Sequence, residues 1–283
     1  MAKTAQRTPE YQNNPFFVAT DGLTLLFNKA LSVAILAIVL ASLGLVGSAV
    51  KNTSNIAMRD ESFTQRVQAP DKAAEQTFNN FFVSLTASEI TIIVTVMVIV
   101  VLTAIFVSTL IAGVFDYTAA QLAKGKTATL QEALQAVLHR FFSYLWLTIL
   151  VGLKVFLWSL LLIVPGIIMA VRYSLSGVAF FEKDLGANAA TKESSRLVKG
   201  AWITTFGSFG LFNIITFGMI QTILQPGTNA VLYRQFKAFE TAKMKKPAAH
   251  ALSWLTLLLP LGLFILMLLI GGIVAYVIYL HSR

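Results

Sequence analysis

Cysteine is absent from all 283 residues, so disulfides, thiolate catalysis and cysteine-bound metals are excluded. Histidine is nearly as scarce. His139, His250 and His281 stand far apart at boundaries of apolar sequence, in no metal-ligand spacing. Charge is thin as well, 12% of residues against about a quarter in a soluble domain. No G-x-S-x-G, no glycine-rich phosphate loop and no carboxylate pair within an apolar segment occurs. Asp60-Glu61 lies in a polar stretch, where adjacent acids are ordinarily just solvated. The expectation is a chain that is not an enzyme and needs no cofactor and no metal.

What the chain has in abundance is apolar sequence, 56% of its residues. A hydrocarbon core of about 30 Å takes about 20 apolar residues as helix. Clear runs cover 30–50, 90–115, 142–164 and 252–280, and shorter or interrupted ones cover 167–181, 201–217 and 218–236. The fold class expected is all-α: a polytopic transmembrane helical bundle of about six or seven segments. The first run begins far from the N-terminus for a signal peptide, so its helix is expected to stay in the mature protein.

The net charge of +9 sits beside the apolar runs, which points to orientation in a membrane and not to nucleic acid. Lys3, Arg7 and Lys29 precede the first run, and Lys124, Lys126 and Arg140 lie between the second and third. Lys183, Lys192, Arg196 and Lys199 follow the segment containing Arg172, and Arg234, Lys237, Lys243, Lys245 and Lys246 precede the last run. The stretch 51–89 has four basic residues against five acidic ones. Excess Lys and Arg mark the cytoplasmic side, so the N-terminus is expected inside and 51–89 outside. The organisation that follows is a cytoplasmic segment 1–29, a helical membrane domain 30–243 with its external loop, and an additional C-terminal helix in 244–283.

That orientation makes 142–181 go out and return within 40 residues, and Pro165-Gly166 is the expected turning point. Pro226-Gly227 is expected to break 201–236 in the same way, hinting at an internal repeat of about 61 residues. Thr129 and Glu132 have the spacing of a capping box, and Asn188 is a candidate cap for the helix leading to Trp202.

Two features bear on function. Ala30, Ala34, Ala37, Ala41, Gly44 and Ser48 form a stripe of small residues along one helix face. Such a stripe lets another helix approach closely, within the chain or in a homo-oligomer. Lys154 and Arg172 lie inside apolar sequence with no carboxylate at matching depth. A cation there costs at least about 2.5–3.5 kcal/mol and needs a partner, a cavity or water. Snorkelling or an interfacial position would satisfy them; an anionic phospholipid headgroup would do so as a ligand.

Leu162-Ile-Val-Pro-Gly-Ile-Ile-Met-Ala170, then Phe181-Glu-Lys-Asp-Leu-Gly186, then a helix with Ala190, Ser194, Lys199 and Trp202, resembles the YciC family. These are uncharacterised bacterial inner-membrane proteins, related to the membrane domain of some glycerophosphodiester phosphodiesterases. The resemblance implies a helical membrane architecture and an inner-membrane location, and transfers no activity. Arg172 stands where an apolar residue would be expected. The function expected is therefore organisation of membrane lipids or partner membrane proteins; a small transporter or permease subunit is the alternative.

Overall fold

A computed structural model of the chain describes residues 10–43, 86–216, 218 and 220–281. Among the described residues every regular element is a helix: α1 (Pro15–Lys29), α2 (Leu31–Leu43), α3 (Ala87–Ala123), α4 (Leu130–His139), α5 (Phe141–Leu161), α6 (Ile163–Tyr173), α7 (Ser176–Glu182), α8 (Ala187–Val198), α9 (Trp202–Ile215), α10 (Gln221–Thr241) and α11 (Ala251–His281). Four stretches are long and apolar enough to cross a membrane: α3, α5, α6 with α7, and α11. A fifth arises if α1 and α2, bent by 119° at Ala30, count as one span. Among the described residues the chain is thus all-helical, with four or five apolar helices of spanning length.

Two of the seven expected segments take other roles. Within 201–217, Trp202–Ile215 form α9, a 14-residue apolar helix, short for a crossing. Of 218–236, the part from Gln221 onward lies in α10, whose apolar side chains serve a protein core: Leu232, Tyr233, Phe236 and Ala230 are fully buried. Sequence 15–29, expected to be a plain cytoplasmic segment, is the helix α1 that packs along α10. Its start is locally determined. Asn14 caps it, its side chain accepting from Phe16 N at 3.0 Å, and Pro15 occupies the first turn, where a missing N–H costs nothing.

The expected helix breaks also change meaning. Pro226 and Gly227 do not break anything; both lie inside α10. Gly227 is there because its backbone meets that of Gly22 on α1, where a Cβ would lie 2.0 Å from the Gly22 carbonyl oxygen. At the other site the chain reverses at Leu162, in extended conformation, three residues before Pro165. Pro165 sits in the first turn of α6, a position suited to proline. Gly166 lets α6 lie against α5, since a Cβ there would strike Ser159. The expected equivalence of the two Pro-Gly pairs, and with it the main support for a repeat, is lost.

Of the small-residue stripe, Ala30, Ala34 and Ala37 are buried in the core with Val33 and Leu26, and Ala41 is half-buried. The stripe packs within the chain as far as the structure describes it; Gly44 and Ser48 lie outside the described residues. The capping box of Thr129 and Glu132 is present at the start of α4. Asn188 caps nothing: α8 starts one residue before it, after Gly186. The foot of α11 packs on α9, where Gly207 and Gly210 make room for Ser253 and Thr256. Beyond these feet, α3 before Thr109 and α11 after Leu257 are exposed all round among the described residues, as suits helices surrounded by lipid.

Candidate functional site

The site is built on α8. Ala190, Ser194 and Leu197 give this helix a fully buried face. Ser194 stitches it to the junction of α6 and α7, donating to the Arg172 carbonyl at 2.7 Å and accepting from Leu175 N at 3.1 Å. Those two backbone groups are left over where α6 ends, so one hydroxyl satisfies both sides of the break. At the other end Lys246 donates to the Leu197 carbonyl and, at 2.9 Å, to that of Lys199, placing a cation at the negative end of the helix.

With α8 held this way, Lys192, Ser195, Arg196 and Lys199 share its other face, at i, i+3, i+4 and i+7. That face meets Lys154 of α5. The Lys154 ammonium donates to Thr191 Oγ1 at 2.9 Å and lies 5.5 Å from the centre of the Tyr173 ring. Together with Tyr173 and Thr191 these side chains line a cavity of ≈ 330 Å³. Lys154 is therefore not isolated in apolar surroundings; a polar helix runs up beside it.

The charges in this cavity do not balance. Arg196 is neutralised by Glu193 at 2.7 Å and Glu240 at 3.0 Å. Lys154, Lys192 and Lys199 have no ion pair among the described residues. Ser195 adds a hydroxyl beside them, whereas the Thr191 proton goes to the Asn188 carbonyl at 3.0 Å. Three unpaired cations beside a serine hydroxyl are the composition of an anion site.

Arg172 does not line this cavity, contrary to its expected pairing with Lys154. Successive residues on a helix diverge by about 100°, so Tyr173 facing the cavity turns Arg172 away. Its Nε is buried without a hydrogen-bond partner. Lys192 and Lys199 were missed as site residues because their charges were read only as markers of orientation, and Ser195 carries no charge to draw notice. Their heptad-like spacing was the available signal.

Glu193 anchors the arrangement. Burial alone would raise its carboxyl, but hydrogen bonds from Lys183 and Arg196, and their charges, outweigh burial and hold it below its ordinary value of 4.5. A depressed folded value means that the stabilisation is complete above pH 4.5 and is lost as the pH falls through the folded value. Between pH 7 and pH 3 the wild type is expected to lose more thermal stability than Glu193→Gln. Parallel melting curves for the two proteins would refute this coupling.

No protein-family model, curated protein or solved structure matches this chain.

Proposed function

We propose that this is a non-enzymatic membrane protein that holds anionic phospholipid headgroups, with the phosphate seated among Lys154, Lys192 and Lys199. The observation that carries the proposal is the convergence of these three unpaired cations, one from an apolar helix and two from a polar helix, on one cavity. A cation on a membrane helix needs an anion or water, and a phosphate supplies the anion at the depth of the bilayer interface. In this reading the protein organises lipid or lipid-bound partner proteins in a bacterial inner membrane, and belongs with the YciC-like proteins that its Pro165-Gly166 and Ala190–Trp202 segments resemble. Five crossings fit the basic residues if the apolar run 30–50, which begins with α2, goes outward: α3 then runs inward, α5 outward, α6 with α7 inward, and α11 outward, with the N-terminus cytoplasmic. The helices α1, α8, α9 and α10 then make a body on the cytoplasmic side.

Native mass spectrometry of the detergent-purified protein tests the proposal. Phosphatidylglycerol or cardiolipin is expected to be retained by the wild type. Each lysine removed is worth about 1 kcal/mol at a membrane surface, so Lys154→Ala, Lys192→Ala and Lys199→Ala combined should weaken retention by about a hundredfold. Arg172→Ala, outside the cavity, should leave it unchanged. Equal retention by wild type and triple variant would remove the site.

A further inference from the structure

A second groove, between α3, α5, α6 and α7, has the opposite character. Its polar end is Asp116, half-buried on the packed part of α3, with Oδ2 accepting from Tyr144 OH at 2.7 Å. Gly177 brings the α7 backbone against this carboxylate; a Cβ there would lie 1.6 Å from Oδ2. None of the ion pairs among the described residues involves Asp116. A carboxylate withdrawn from water without a cation is costly unless something compensates it. Ser176, 2% exposed, lines the same groove, and its Oγ is buried without a hydrogen-bond partner. Thr148 adds a hydroxyl whose proton goes to the Tyr144 carbonyl at 3.1 Å, leaving its oxygen free to accept. The remaining wall is mostly apolar, Leu147, Val151, Val155 and Ala170, with Tyr173 and Ser174 beside them.

We infer that this groove binds a primary ammonium ion with a short apolar tail, the ammonium at Asp116, Ser176 and Thr148 and the tail along Leu147, Val151 and Val155. A primary ammonium has three N–H donors and no acceptor, which suits one carboxylate and two acceptor hydroxyls. Its single charge balances that of Asp116. A metal ion is a poorer occupant: among the described residues no cluster of three His, Cys, Asp or Glu exists, and most of the groove is hydrocarbon. At ≈ 250 Å³ the groove has room for about eight water-sized atoms at ~30 Å³ each, enough for a five-carbon amine. The inference is independent of the phosphate site, with which this groove shares only Tyr173 as a wall.

The same chemistry arrives as a free alkylamine or as the amino headgroup of a phospholipid. The test is thermal unfolding of the full-length protein in detergent with n-pentylammonium chloride, 1-pentanol or sodium chloride. Pentylammonium is expected to raise the melting temperature saturably, and the other two are not. Asp116→Asn should weaken the response at least tenfold, and Ser176→Ala several-fold. If Asp116→Asn does not fold, Val151→Phe fills the tail channel, leaves the polar end intact, and should abolish the response. Nanodiscs decide the source. A response lost in phosphatidylethanolamine but kept in phosphatidylcholine supports the site with the headgroup as ligand, and one kept in both supports it with a free amine. No response to pentylammonium, an equal response to pentanol, an undiminished response in folded Asp116→Asn, or stabilisation by sodium that Asp116→Asn removes would each overturn the inference.

Discussion

Gly227→Ala is expected to destabilise the protein by about 3 kcal/mol or more, above the 1–3 kcal/mol usual when a side chain overfills a core. The difference lies in what the new methyl meets. At Gly227 it would lie 2.0 Å from the carbonyl oxygen of Gly22 and 2.3 Å from its carbonyl carbon, atoms of a helix backbone that cannot swing aside. The reciprocal change is nearly as constrained, a Cβ at Gly22 lying 2.5 Å from the Gly227 carbonyl carbon. In either variant α1 and α10 must separate. The roughly 1 kcal/mol that Gly→Ala ordinarily gains in a helix does not offset this. Gly152 on α5 supplies the contrast: nothing lies within 4 Å of a Cβ there, so Gly152→Ala should be neutral or slightly stabilising. Thermal unfolding of the three variants in one detergent checks the argument. Melting temperatures for Gly227→Ala and Gly152→Ala that move together would remove it.

This crossing marks where the sequence stopped being legible. Helical class, apolar helices of spanning length and the start of α4 follow from patterns within one segment: run length, the Thr129–Glu132 spacing, and the place of basic residues. Gly22 and Gly227 are 205 positions apart, and nothing in either segment alone distinguishes a glycine for close approach from one for a turn. Pro226-Gly227 was therefore read as a break. The same limit hid the ammonium groove. Asp116, Tyr144 and Ser176 come from three helices, and no spacing within one segment ties them together. Lys154 stood out because a lysine in an apolar run is anomalous on its own. Its companions on α8 were visible as a stripe at i, i+3, i+4 and i+7, though only the fold shows that the stripe faces Lys154.

Glu182→Ala is expected to cost about 3 kcal/mol, the low end of the range for removing one partner of a buried charge pair. Glu182 ends α7 with its side chain 7% exposed, and it accepts from two groups of α10: Lys237 Nζ at 2.7 Å and Tyr233 OH at 3.0 Å. Tyr233 is fully buried, and that burial with the adjacent Glu182 charge keeps its phenol protonated, well above its usual range. The proton therefore stays available to donate. Truncating Glu182 strands a buried hydroxyl and leaves Lys237 without its carboxylate. Lys237 is 42% exposed and recovers water, which holds the loss to the low end. Glu182→Gln keeps an acceptor for one donor and should lose about half as much. Tyr233→Phe removes the hydroxyl but leaves the ion pair, and should cost about 1 kcal/mol. If Glu182 couples to Tyr233 as the geometry requires, the double variant Glu182→Ala/Tyr233→Phe should be less destabilised than the sum of the singles by about 1 kcal/mol. Strict additivity in unfolding free energy would mean that the hydroxyl has another acceptor, leaving the Lys237 ion pair as the polar tie between Glu182 and α10.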